Sequence, residues 1–198
     1  MAGATVLPLP ITPSAAVCQI IRPALALLPQ KMDSAKAVGL ILTIMLQEVG
    51  RDDMLAYRWQ VVDLKRPEVK GPARGLAQFE RGTYASRGGV WGIYLHPASR
   101  PHLQRACNTL RVPFDALKIW QALASNDALS VVCARLLLWT DAAPLPALGD
   151  EAGGWDYYLR NWRPGAYTRG TSTKRASLRA KWSRNYRTAM TTLDRGSR

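Results

Sequence analysis

From Ser34 to Val49 the apolar residues Val38, Ile41, Leu42, Met45, Leu46 and Val49 recur at i, i+3, i+4, i+7, i+8 and i+11. That is the one-sided stripe of a buried amphipathic helix. Asp33 or Ser34 supplies its N-cap, and Gly50 stands where a C′ glycine ends a helix. A second, more apolar pattern runs from Asp127, read as its cap, to Trp139, with Leu129, Val132, Cys133, Leu136 and Leu137 on the buried side. It is the expected central core helix. Shorter helical patterns cover Ala15 to Ile21 after Ser14, a stretch begun or kinked at Pro23, Asp52 or Asp53 to Trp59, Ser99 to Leu110, Phe114 to Ala124, and Trp155 to Trp162.

Between these patterns the chain reads as loop. Met1 to Pro13 contains Pro8, Pro10 and Pro13, which predicts an extended arm whose Val6, Leu7, Leu9 and Ile11 pack against something. Lys70 to Glu80 predicts a tight turn in which Gly71 and Gly75 let the backbone come close to a ligand. Arg81 to Gly92 reads as a glycine-rich hairpin or loop, and no Gly-Lys-Ser/Thr follows to make a phosphate loop. The fold class is therefore mainly α with a small hairpin or loop lobe.

The last segment, 166–198, has a different composition: nine basic residues against the single Asp194. Leu178, Trp182, Tyr186, Ala189 and Leu193 recur at helical spacing, predicting a basic amphipathic helix from Lys174 to Leu193. Such a helix is marginal alone in water, so something must hold it. Lys174, Arg175, Arg179, Trp182 and Arg187 are assigned to that partner. Nucleic acid, an anionic wall or membrane surface, and a partner protein all fit.

Composition narrows the classes. A chain of 198 residues with 47% hydrophobic content buries one core, so a single domain with appendages is expected. The net charge of +13 points to polyanionic partners. No apolar run is long enough to span a membrane, and the N-terminus, without basic residues and broken by prolines, makes a poor signal peptide. Cys18, Cys107 and Cys133 lack zinc-ligand spacing and read as reduced thiols; His96 and His102 are poorly spaced to share a metal. Neither a metal nor another cofactor is expected.

Glu48 is the candidate for chemistry. It lies at the edge of the apolar stripe, near the helix's C-terminal end. Lost solvation and the negative end of the helix dipole both raise a carboxyl's pKa there. A glutamic acid protonated near neutrality can protonate the leaving oxygen of a glycosidic bond. The plainer alternative is a solvated carboxylate without chemistry.

Gln47-Glu48 at the end of an apolar helix, followed by the turn Gly75-Leu76-Ala77-Gln78, resembles the lysozyme-like superfamily, above all lytic transglycosylases and goose-type lysozymes. Val49 stands where that family usually has serine, and Ala77 where it has methionine. Gly71-Pro-Ala-Arg-Gly, His96-Pro-Ala, Leu136-Leu-Leu-Trp-Thr-Asp141, Pro144-Leu-Pro-Ala-Leu-Gly149 and Trp162-Arg-Pro-Gly165 resemble small proteins encoded in tailed-phage genomes. The resemblance covers 23–165, a lysozyme-like domain between an N-terminal arm and short helix, 1–22, and the basic segment 166–198.

The resemblance implies cleavage of the peptidoglycan glycan strand, with Glu48 as general acid/base. It implies that Gly75 and Gln78 position the sugar, although a Gln there serves equally well to satisfy the turn's own backbone. Tyr157, Tyr158 and Asn161 are candidates for the opposite wall of the cleft. Asp53 or Asp63 would be the second carboxylate of an inverting hydrolase; a transglycosylase uses the substrate's own acetamido group instead. The implied setting is the phage virion, after synthesis in the host cytoplasm. There the protein could also serve as a ring-forming head-to-tail adaptor on the portal, in contact with packaged DNA. A purely structural adaptor is the alternative. A DNA-binding module built on the basic helix is the third reading, with no recognition-helix or zinc-finger signature to support it.

Overall fold

The computed structural model describes residues 6–196 apart from positions 64 and 67. The architecture is mainly helical with two small antiparallel strand pairs. The arm runs extended to Ile11, which is buried and exchanges two 2.9 Å backbone hydrogen bonds with Leu55. Helix α1 (Pro13–Ala15) is capped by Thr12, not Ser14: Thr12 Oγ1 accepts from Ala15 N at 3.3 Å. It continues without a break through a π-helical stretch, Ala16–Ile21, into α2 (Arg22–Leu25). Pro23 has no N–H for the regular bond to Gln19, and the wider π register falls immediately before it.

Helix α3 (Ala35–Val49) is capped by Ser34, whose Oγ accepts from Ala37 N at 3.2 Å. The expected one-sided stripe is an underestimate, because every residue from Ala37 to Gln47 is buried. The face that reads as polar or small, with Gly39, Thr43 and Gln47, is covered by the C-terminal helix α10 (Ser172–Gly196), which runs antiparallel to α3. A Cβ on Gly39 would lie 2.7 Å from Met190 Cε and 3.0 Å from Leu193 Cδ1, so the glycine permits the close approach. Thr43 satisfies its hydroxyl internally, donating to Gly39 O at 2.8 Å. Gly50 is extended (φ −74°) rather than left-handed. Its lack of a side chain matters because a Cβ would meet Leu46 O at 2.2 Å.

The small lobe follows. A helix from Asp52 or Asp53 to Trp59 does not form. Instead β1 (Gly50–Arg51) and β2 (Met54–Leu55) make a hairpin across Asp52 and Asp53, both left-handed at φ 51° and 57°. Asp tolerates this conformation better than most residues, and consecutive positive φ values suit a two-residue hairpin turn. Strand β3 (Trp59–Val61) pairs with β4 (Lys70–Arg74), which leads into the glycine turn. Arg58 fastens the lobe to the helical body: its guanidinium makes two 2.7 Å bonds to the fully buried carboxylate of Asp127. A paired buried charge of this kind is costly to break, because either partner left alone is a desolvated ion.

Helices α4 (Gly89–Leu95) and α5 (Arg100–Thr109) pack on the buried α7 (Asp127–Thr140), and α6 (Ala116–Ala122) packs on α4. Asn126, not Asp127, caps α7, its side chain accepting from Leu129 N at 2.9 Å; Asp127 is inside the helix, committed to Arg58. Helix α8 (Glu151–Trp162) begins a turn earlier than Trp155, on the Asp150 cap, and ends at Arg163 in the left-handed region (φ 46°). The short α9 (Gly165–Thr168) leads to α10, where Thr171 Oγ1 accepts from Lys174 N at 3.2 Å.

The change of composition near residue 165 is not a change of packing. Trp182, Tyr186 and Ala189 of α10 belong to the same core as α3 and α7. Trp182, expected to face a partner, is fully buried, and its ring stacks on Tyr158 at 5.0 Å between centroids. Arg175 and Arg179 are likewise engaged within the chain, with Tyr167 O and with Glu151. Lys174 and Arg187 are exposed. The partner that holds the helix is the chain's own α3. Among the described residues no helix is long and apolar enough to cross a membrane, and no three His, Cys, Asp or Glu side chains converge as a metal site. Cys107 and Cys133 are buried thiols, whereas Cys18 is exposed.

Candidate active site

The end of α3, the lobe and the end of α8 enclose an open groove of about 650 Å³. Its walls include Glu48, Trp59, Gln78, Glu80, Asn161 and Trp162. Glu48 reaches it because α3 continues to Val49, which places residue 48 on the last turn, where the buried helix meets the open space.

The Glu48 carboxyl is half-buried, and burial pushes its pKa from the ordinary 4.5 up to about 7. Two neighbours act in the opposite direction. The Tyr158 hydroxyl donates to Glu48 Oε1 at 2.6 Å, and the positive charge of Lys181 favours the ionised form. Burial outweighs both, because few polar groups replace the lost water. Tyr158 itself stays a neutral donor: burial and then the adjacent Glu48 charge push its pKa well above 10. A carboxyl divided between acid and base near pH 7 can give a proton to a leaving group and take one back.

The glycine turn is fixed from two sides. Gly75 has φ +74° and donates to Arg58 O at 2.7 Å, and a Cβ there would lie 2.6 Å from Ser130 Oγ of α7. Glycine is thus required twice, by conformation and by close approach. Ser130 Oγ accepts from Ala77 N at 3.2 Å, and Trp162 Nε1 donates to Ala77 O at 3.0 Å, coupling the turn to α7 and α8. Ala77 is fully buried at this junction.

The expected site residues fall into three groups. Glu48, Gln78 and Asn161 line the groove together. The carboxamide nitrogen of Gln78 donates to Gly75 O at 2.8 Å, so it serves the turn. Asn161 Nδ2 donates to Asp141 Oδ2 at 2.8 Å and to Tyr157 O at 2.9 Å, which occupies both amide hydrogens and leaves the carbonyl oxygen as the group it can offer a ligand. Gly75 and Tyr158 do not line the groove; they support it from behind, through the turn and through Glu48. Asp53 and Asp63 are elsewhere. Asp53 is exposed on the β1–β2 turn. Asp63 pairs with Arg66 at 3.0 Å and accepts from Lys65 N at 2.9 Å, which together hold its pKa below the usual value.

Sequence reasoning missed charged residues of the groove wall, Arg163 among them. Glu80 lines the groove, exposed, two positions after Gln78; its place directly behind the glycine turn was the available signal. Lys174, assigned to an outside partner, lines the groove as well. Phe79 and Trp162, which line the groove, and Tyr158 behind them form an aromatic series, with ring centroids 5.8 and 6.2 Å apart. No protein-family model, curated protein sequence or solved structure matches the chain.

Proposed function

We propose that this protein is a lysozyme-like, peptidoglycan-cleaving glycosidase of a phage particle, with Glu48 as its general acid/base. The observation that carries the reading is a single one: a half-buried glutamic acid with a pKa near 7, held by Tyr158, opening on a groove with aromatic and amide walls. A glycan strand suits such a groove, since Trp59 and Trp162 offer flat apolar surface to sugar rings while Gln78 and Asn161 offer polar edges.

In this reading the protonated Glu48 donates to the glycosidic oxygen as the bond to the anomeric carbon breaks. In an inverting hydrolysis a second carboxylate takes the proton of the attacking water; in the transglycosylase reaction the Glu48 carboxylate takes a proton back from the substrate hydroxyl that closes an anhydro ring. With Asp53 and Asp63 away from the groove, the second route needs no further protein group. The first would require a carboxylate to activate water, and among the described residues Glu80 lines the groove beside Glu48. The setting that goes with this reading is the virion, with the exposed Arg187 side of α10 turned toward the portal or neighbouring copies in a head-to-tail adaptor ring. The test is a gel containing peptidoglycan: the wild type clears it and Glu48→Gln does not. Equal clearing by the two would reject the assignment of Glu48.

A further inference from the structure

We infer that Lys181, on the C-terminal helix, is a positioning residue for Glu48, clamping the last turn of α3 and supplying the positive charge that faces the carboxyl. The inference rests on the reading of Glu48 as the acid.

The geometry is a three-point clamp. The last carbonyls of a helix have no partner within it, and Gln47 O is one of them. Lys181 Nζ donates to Gln47 O at 2.7 Å. The Gln47 side chain is held by the same helix: Asn185 Nδ2 donates to its Oε1 at 2.9 Å, and its Nε2 donates to Leu178 O at 3.2 Å. Residues 178, 181 and 185 share one face of α10, so a single helix surface grips both the backbone and the side chain of the residue before Glu48. The ring of Trp182, between them, stacks on Tyr158, the donor to Glu48. Glu48 is thus fixed through its backbone by α10 and through its carboxyl by α8.

The choice of lysine goes beyond the clamp. Its ammonium is half-buried, and burial lowers its pKa, with Glu48 working against that and Arg184 and Lys174 reinforcing it. The titratable and charged groups of this cluster are therefore Glu48 on α3, the neutral Tyr158 on α8, and Lys181, Arg184 and Lys174 on α10. Burial raises the Glu48 pKa; the Tyr158 hydrogen bond and then the Lys181 ammonium offset part of that rise, and the result is a value of about 7. In this sense the basic tail, whose composition suggests an outside partner, completes the groove from within.

The experiment is a ¹³C NMR titration of the Glu48 carboxyl in the full chain, comparing wild type, Lys181→Gln, Lys181→Arg and Asn185→Ala. Lys181→Gln keeps a donor for Gln47 O and removes the charge; Lys181→Arg restores the charge; Asn185→Ala loosens the clamp and leaves the charge in place. The expected result is a Glu48 midpoint raised by about one pH unit in Lys181→Gln, near the wild-type value in Lys181→Arg, and little moved in Asn185→Ala. The acid-to-base limb of any glycan-cleavage profile should move in parallel. An unchanged midpoint in folded Lys181→Gln, or an equal shift in Asn185→Ala, overturns the inference. Because the titration needs no substrate, the expected shift in Lys181→Gln together with a wild type that leaves peptidoglycan intact would reject the proposed function while the clamp stands.

Discussion

Where α3 passes Gly39 the nearest atoms of α10 are carbons: Met190 Cε and Leu193 Cδ1 lie against a helix surface with no side chain to keep them away. Further along the same face the two helices meet at Gln47, and there the contact is polar, made by Leu178 O, Lys181 and Asn185. One end is dry packing, which supplies stability without orienting any particular group. The other fixes direction, and it does so directly beside the residue assigned to chemistry. The difference divides two tasks along one buried helix: the apolar end anchors it, and the hydrogen-bonded end fixes the turn that carries Glu48.

That contrast can be broken at either end. The largest effect should come from Trp182→Ala, which empties a fully buried site between α3, α8 and α10. Its cost should be about 3–5 kcal/mol in denaturant unfolding, with α10 released from the core. A tail that is an independent appendage would instead leave the unfolding midpoint unmoved. Glu48→Gln should lower glycan cleavage by at least about 100-fold while leaving the fold intact, since Gln can still accept from Tyr158.

At the dry end, Gly39→Leu should cost about 1–3 kcal/mol, because its side chain would push Met190 and Leu193 away. Its effect on the Glu48 titration midpoint should be small by comparison with that of Lys181→Gln. The smallest effect sharpens the contrast through pH. A carboxyl whose pKa is raised on folding, here from 4.5 to about 7, contributes fully to stability below the lower value. That contribution is lost as pH rises through the higher one. Glu48→Gln should therefore be more stable than wild type by about 1–3 kcal/mol at pH 8 and indistinguishable from it near pH 4. Equal thermal midpoints for the two proteins across that range would show that Glu48 titrates as an ordinary surface carboxylate.

Much of the helical framework was legible because periodicity survives tertiary packing. The patterns over α3, α7 and α10 identified those helices, although Asn126 rather than Asp127 caps α7. The docking face of α3 was not legible, since Gly39, Thr43 and Gln47 read as an outward side until α10 is seen to cover them. Composition misled for the same reason: the charge of the last segment pointed its apolar stripe, Trp182, Tyr186 and Ala189 included, toward an outside partner, whereas these residues pack in the chain's own core. Asp52-Asp53 reads as a helix start, and only its two positive φ values reveal a hairpin turn. At the site, Glu48 and Gln78 could be placed from one helix and one turn. Glu80 and Lys181 reach the groove or Glu48 through tertiary placement, Lys181 from more than a hundred residues away in the chain.

The most direct test of the central claim is the mass of the soluble fragments released from purified peptidoglycan near neutral pH by the wild type and by Glu48→Gln. Glu48-dependent cleavage predicts disaccharide-peptide fragments from the wild type alone. Anhydro ends would identify the transglycosylase reaction, and reducing ends, heavier by one water, would identify hydrolysis with Glu80 as the second carboxylate to test next. Release of no glycan fragments by the folded wild type, or the same fragments from both proteins, would contradict it.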